Sequence, residues 1–250
     1  MTIHRKSKHE VNIMKQAGNV VALVHLAMKD AVKEGVTTKE LDEIAAKIIK
    51  DNKADPTFLG YNGFPATICT SINEQVVHGI PSNDTILKNG DIISIDVGAT
   101  YKGFVGDSAW TYPVGEISEE KKLLLKATEE SLFAGLEHMK TNDKLENVAG
   151  AIEDVAKKYN LGIVRQYGGH GVGRVMHEDP FVFNYRTNNP LVLMHGMTIA
   201  IEPMLNLGCD DVIVLEDKWT VVTKDKKASG HFEHTVHVTD DGPEILTKLL

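Results

Sequence analysis

Apolar positions recur at helical spacing in four stretches of the chain. Ser7 and Glu10 have the separation of a capping box, and Val11, Met14, Val21, Val24 and Met28 follow at helical intervals to about Val32, where Gly35 ends the run. Thr37 with Glu40 repeats the signal, and Leu41, Ile44, Ala45, Ile48 and Ile49 then share one face. Residues 118–139 read as a third helix. Asp143 with Glu146 opens a fourth that ends near Tyr159. The region 56–65 is aromatic and irregular. ATICTSINEQVVHGIP gives two short strand-like runs around Asn73 and Glu74. The stretch IISIDVGATYKGFVGDSAW, 92–110, predicts two short strands joined through Gly103 and Gly106. The first stops on Asp96 and the second carries Asp107.

The second half repeats the order of the first. TTKELDEIA and TNDKLENVA align Leu41 with Leu145, Ile44 with Val148 and Ala45 with Ala149. GDIISID and GMTIAIE set Asp96 against Glu202, VHGIP and MHEDP set His78 against His177, and GDSAWT and HFEHTV set Asp107 against Glu233. The offsets run from 99 to 126 residues. Two copies of helix pair plus strands predict a pseudo-two-fold α+β domain, with antiparallel strands in the middle and helices outside, rather than a solenoid. No Pro/Ser-rich or low-complexity linker separates the halves, so residues 1–250 are expected to be one domain. The symmetry would gather Asp96, Asp107, Glu202 and Glu233 at one central place.

Composition narrows the classes of function. Apolar residues make up 42% and charged residues 25%, as in ordinary water-soluble proteins. A formal net charge of −8 argues against a general nucleic-acid or anionic-membrane binder, which needs clustered Lys and Arg. Two cysteines, Cys69 and Cys209, make a disulfide framework improbable. The polar start MTIHRKSKHE lacks a signal-peptide core, and no apolar run approaches the roughly 20 residues of a membrane helix. A cytoplasmic protein is the expectation.

Carboxylates at buried strands are costly unless something pairs with them, and a cation between them removes their repulsion. YGGHGVGRVMHEDP adds His170 and His177. Its glycines let the backbone approach something closely. The segment matches neither phosphate-loop pattern, and His177-Glu178 does not begin an H-E-x-x-H helix because Pro180 and Phe181 follow. Four carboxylates with one imidazole suit Mn²⁺, Fe²⁺, Co²⁺ or Zn²⁺. Five such ligands suffice for two ions about 3.5–4 Å apart, which would lower the pKa of a water between them.

IDVGA with its acid, GD eleven residues on, GGHGVG, IEP and EHT resemble, in order and spacing, the motifs of type I methionine aminopeptidases. CTSINEQVVHGIP and YNGFP are similar to that family too, and the resemblance spans about Ser7 to Leu246. It implies the pita-bread fold and five metal ligands, Asp96, Asp107, His170, Glu202 and Glu233. Asp107 and Glu233 would bridge two divalent ions, Asp96 would hold one, and His170 with Glu202 the other. It further implies removal of initiator methionine from nascent chains with a small second residue, by attack of a metal-activated hydroxide. His177 would support the oxyanion, His78 would orient the second residue, and Glu202 would shuttle a proton to the leaving amine. A methionine pocket would be built from Phe58, Tyr61, Phe64, Cys69, Met176 and Trp219, with Cys69 as a wall rather than a nucleophile.

The resemblance implies nascent polypeptide N-termini as partners, the ribosome as a further one, a monovalent cation near Asn73, and a monomer. Two positions depart from the family pattern. Asn62 stands where many relatives carry His. His231 replaces a neutral polar residue two positions before Glu233, and it reads as a supporting or solvent-facing side chain rather than a sixth ligand. His195, His234 and His237 read as structural or exposed. The rivals are a same-fold proline peptidase, which usually carries an additional N-terminal domain, and a catalytically dead binder of ribosomes, which would lack ligands present here.

Overall fold

The computed structural model describes residues 2–250. Helix α1 (Lys8–Ala31) and helix α2 (Thr38–Asp51) both start on the predicted capping boxes. Ser7 and Thr37 accept the backbone N–H of Glu10 and Glu40, and each glutamate bonds back to the cap residue. Helix α3 (Glu119–Leu136) begins at Ser118, whose hydroxyl accepts the Lys121 N–H. Helix α4 (Leu145–Lys158) departs from expectation. Lys144 is its N-cap and supplies no side-chain bond. Asp143 bonds Lys144 N and Asn147 Nδ2 instead, while Glu146 Oε2 accepts the backbone N–H groups of Thr187 and Asn189. The loop amides have a stronger claim on that carboxylate than the helix start, because they have no ladder partner of their own.

The first half contributes β1 (Asp55–Pro56), β2 (Ile68–Ile72), β3 (Gln75–Val77), β4 (Ile92–Tyr101) and β5 (Phe104–Pro113). The two acid-bearing strands are longer than expected, ten residues each, and Asp96 lies mid-strand rather than at a strand end. Lys102 and Gly103, both at positive φ, make the two-residue turn between them. Gly106 is not part of that turn. It lies within β5 against Gly18 of α1, so close that a β-carbon would collide with the helix backbone. β4 pairs with β5 on one side and with β2 and β1 on the other. Val20, Val24 and Met28 of α1, with Leu41 and Ile49 of α2, bury against Ile93, Ile95 and Val97.

The second half contributes β6 (Gly162–Ile163), β7 (Gly169–Gly171), β8 (Glu178–Val182), β9 (Thr198–Ile201), β10 (Met204–Asn206), β11 (Val212–Val214), β12 (Val221–Thr223), β13 (Ser229–His231), β14 (His234–Thr239) and β15 (Gly242–Ile245). One sheet runs β15-β14-β9-β7-β8, and Leu132, Leu136, Leu145, Val148 and Ile152 of α3 and α4 pack against its Ile199, Ile201 and Val236. Two helices on antiparallel strands thus occur twice, as the repeat predicts. The counterpart of the β4–β5 hairpin is split, however. Ile201 pairs with His234 and Met204 with His231, leaving Glu202 and Glu233 at the break between the two ladders. The chain between β10 and β13 makes an excursion whose β12 pairs with β3 of the first half. That insertion explains why Asp107 and Glu233 are 126 positions apart while Asp96 and Glu202 are 106 apart.

Hydroxyls stitch the halves together along β5. Thr235 Oγ1 donates to the Asp107 carbonyl, Ser108 Oγ to the Glu233 carbonyl and Thr111 Oγ1 to the His231 carbonyl. All are sealed from water, where each such bond contributes about 1 kcal/mol and its loss costs more. No helix among the described residues is long and apolar enough to cross a membrane.

Candidate metal centre

β4 and β5 present two of the acids. Asp96 pairs with Ala109 and Asp107 with Gly98, so the acids are diagonal neighbours on one face. Glu233 donates its backbone N–H to the Ala109 carbonyl, which sets it beside them. Glu202 arrives at the end of β9, and His170 on β7. The glycines around His170 serve packing within the protein. They let β7 press between neighbours, since a β-carbon on Gly169 would strike the Ala200 carbonyl and one on Gly171 that of Asp179. His170 Nδ1–H donates to the Gly171 carbonyl at 2.9 Å, leaving the Nε2 lone pair turned to the acids. That Nε2 lies 3.6 Å from Asp107 Oδ2 and 3.5 Å from Glu202 Oε1. Ligand-type atoms of Asp107, His170 and Glu233 lie within 4.8 Å of one another. So do those of Glu202, His231 and Glu233, and the two sets share Glu233.

The cluster is short of positive charge. Asp107 and Glu233 are 2% and 1% exposed, and Asp96 Oδ1, Asp107 Oδ1 and Glu233 Oε1 are sealed with no hydrogen-bond partner among the described residues. Burial, then Asp107 and Glu202, push the Asp96 carboxyl well above its usual range. Burial, then Asp107, Glu202 and Asp96, do the same to Glu233. Burial alone would lower His170, but Asp107 and Glu202 together raise it. Orphaned buried carboxylate oxygens facing a lone imidazole nitrogen are what divalent cations of the Mn²⁺–Zn²⁺ group accept, so the donor set fits such ions. Near Asn73, where a monovalent cation was expected, the Lys121 ammonium donates to Asn73 Oδ1 and the Gly90 carbonyl.

The acids form the floor of a cavity of about 720 Å³, and every residue expected of the site lines it. Phe64 meets Trp219 edge-on at 5.1 Å. The Phe58 ring fills the space left by the missing side chain of Gly98. Met176 and Cys69 are buried walls, and burial followed by the charges of Asp96 and Asp107 pushes the Cys69 thiol well up, which rules out a ready thiolate. Both cysteines are free. Tyr61 has a second task, since its hydroxyl is 2.7 Å from His177 Nδ1. His78, at positive φ, stands edge-on to Tyr167 and Trp219, and burial, then His231 and His177, lowers its pKa to about 4. His177 opens onto the cavity, so water softens the effect, but partial burial and then the His170 ring 4.3 Å away hold it below its ordinary value. Lys6 pairs with Glu178 at 2.5 Å, tying the N-terminal segment to the neighbour of His177.

Several wall residues escaped the sequence reading. Tyr167 and Gln166 directly precede the GGHG run and Met204 follows Glu202 by two, so adjacency was the available signal. Asn62 also lines the cavity, in a left-handed turn that asparagine tolerates. The solvent-facing reading of His231 fails. β13 is paired with β10 and bonded to β5, leaving His231 1% exposed with Nε2 3.4 Å from Glu202 Oε2. His234 bonds Thr247 and His237 bonds Glu244, as structural residues should.

Residues 12–240 match the metallopeptidase family M24. The chain is 50% identical over 245 residues to methionine aminopeptidase 1 of Bacillus subtilis, covering 98% of each. It is 48% identical to methionine aminopeptidase 1 of Mycobacterium tuberculosis, covering 98% of this chain and 95% of the relative. A methionine aminopeptidase structure from Thermotoga maritima superposes with a TM-score of 0.97 at 42% identity, covering 99% of this chain and all of that one. Prolidase from Pyrococcus furiosus superposes at 0.78 with 25% identity, but only 66% of its length is covered. With the pita-bread architecture and the acid cluster in place, the chain belongs to metallopeptidase family M24.

Proposed function

We propose that this chain is a methionine aminopeptidase. It hydrolyses the first peptide bond of a polypeptide whose second residue is small, with Asp96, Asp107, His170, Glu202 and Glu233 as the ligands of two divalent ions. The observation that carries the reading is the convergence of those five side chains, with unpartnered carboxylate oxygens, on the floor of a cavity whose walls suit a thioether side chain. Likeness to named aminopeptidases at 48–50% identity over nearly the whole chain supports the same activity. Residues 1–250 would form one catalytic domain, held across its halves by the hydroxyl bonds along β5. Removal of methionine from nascent chains would put the enzyme in the cytoplasm, near the ribosome.

The anionic floor draws a free N-terminus inward and gives no equivalent hold to an internal peptide, which makes the activity exopeptidic. The first side chain then lies between Phe64, Trp219, Met176 and Cys69. Bound at the floor, divalent ions would polarise the scissile carbonyl and bring the pKa of water towards neutrality. With Tyr61 donating to Nδ1, the neutral His177 ring carries its proton on Nε2 and can donate it as a hydrogen bond to the developing oxyanion. His78, neutral between two aromatic rings, orients the second residue. Glu202, half-buried at the edge of the cluster, takes the proton released by the attacking water and returns it to the leaving amine.

Hydrolysis of Met-Ala-Ser and of Xaa-Pro peptides, with Mn²⁺ or Co²⁺ and after chelation, tests the reading. Metal-dependent release of methionine from the first alone is expected, and cleavage should nearly stop when Ala is replaced by Leu or Lys. Preference for Xaa-Pro would move the chain to the prolidase branch of the same fold, and inactivity with both would favour a binder.

A further inference from the structure

Glu202 is flanked by two imidazoles, one for each carboxylate oxygen. His170 Nε2 lies 3.5 Å from Oε1 and His231 Nε2 3.4 Å from Oε2. Their settings differ. His170 lines the cavity, whereas Glu202 forms the wall in front of His231, whose Nε2 is shut off from solvent and has no hydrogen-bond partner among the described residues. The direction of the His231 ring is imposed by the other half of the chain. Thr111 on β5 grips its backbone twice, accepting from its N–H at 2.9 Å and donating to its carbonyl at 2.8 Å. Met204, opposite it on β10, shares its face of the sheet. A sealed donor so placed costs free energy unless it is used.

We infer that His231 is a positioning residue: it holds the outer oxygen of Glu202 from behind, so that the inner oxygen is presented beside His170, and thereby sets how tightly the ion held by Glu202 and His170 binds. This rests on the metal-centre reading. A ring donating from Nε2 to Oε2 removes one carboxylate rotation that the ion would otherwise have to freeze, and hydrogen-bonded supports of this kind typically change metal affinity by about 10–100-fold. Direct ligation by His231 is the competing use of the same nitrogen. It would place two imidazoles on one ion.

Calorimetric titration of the chelated protein with Mn²⁺ tests this. The wild type should show a tighter and a weaker event. His231→Leu, which keeps bulk without a donor, should weaken one of them about tenfold and leave the other within twofold. His231→Gln, which restores a neutral donor, should recover the lost affinity to within about threefold. If the Leu variant matches the wild type in both events, the inference falls and the metal centre stands. If the wild type takes up no Mn²⁺, the metal centre itself falls. Electron spin-echo modulation of the Mn²⁺-loaded wild type needs no variant. One coordinated imidazole supports positioning, and two would overturn it in favour of ligation.

Discussion

The two halves carry the same motif with opposite mechanics. In the first, Asp96 and Asp107 sit on one face of an unbroken ten-residue ladder closed by a two-residue turn. In the second, Glu202 and Glu233 occupy the gap between the β9–β14 and β10–β13 ladders, and the 207–228 excursion extends from the far end of the latter. The first is a fixed platform, because its acids lie on two strands paired residue by residue from Ile92–Pro113 to Tyr101–Phe104. The second relies on outside supports: Ala109 for Glu233, Asn184 for the Glu202 carbonyl and the Thr111 clamp for His231. A duplicated fold thus keeps one copy rigid to fix charge geometry and opens the other to admit the residues that make up the entrance.

That contrast can be broken by experiment. The largest effect should come from the rigid half. Asp96→Asn should remove at least 10³-fold of turnover while the metal-free protein melts no lower than wild type, because an expensive buried carboxylate has been replaced. Activity within tenfold of wild type would refute the ligand role. In the second half, His177→Ala should lower kcat by about 10²-fold, as loss of an oxyanion donor does, and a change confined to KM would count against it.

Asp217 gives a smaller effect. Its carboxylate accepts from Trp219 N, Thr220 N and Thr220 Oγ1, fixing the turn that delivers Trp219 to the pocket. Asp217→Ala should raise KM about fivefold with kcat within twofold, the scale of one to two lost hydrogen bonds. Equal losses in both constants would mean that the excursion reaches the chemistry.

A last effect concerns stability under acid rather than turnover. Beneath β5, His25 Nε2–H donates to the Ser108 carbonyl and Nδ1 faces the Tyr112 hydroxyl, and burial lowers its pKa from 6.5 to about 4. Between those values the unfolded chain binds a proton that the folded one refuses, so stability falls as pH drops from about 6.5 towards 4. The expected loss is roughly 2 kcal/mol between pH 7 and 4.5. In metal-free protein, the raised carboxyls of Asp96 and Glu233 act in the opposite sense, so the readout is the difference in urea midpoint between wild type and His25→Gln. A slope unchanged by the substitution would mean that His25 does not titrate as described.

The clustered acids and the helices were legible in the chain because each leaves a local mark. Capping pairs announced α1 and α2, and the acid-on-acid alignment announced the doubled core. What failed was decided by distant partners. Glu146 looked like a cap until the 187–189 amides claimed it. Gly106 looked like a turn until α1 proved to rest on it. His231 could be read as supporting or as solvent-facing because a three-residue strand carries too short an alternation to decide between them. The methionine walls were assigned by resemblance, since single aromatics leave no periodic trace.

The excursion spanning 207–228 bears a further consequence. It leaves after β10 and returns at β13, a few residues from two acids, yet its strand β12 is anchored to β3 of the opposite lobe. Trimming, lengthening or recolouring its tip would therefore alter which peptides gain admission while the charge lattice stays where β4 and β5 put it. Selectivity can drift on one hinge of the molecule without the hydrolytic chemistry having to follow.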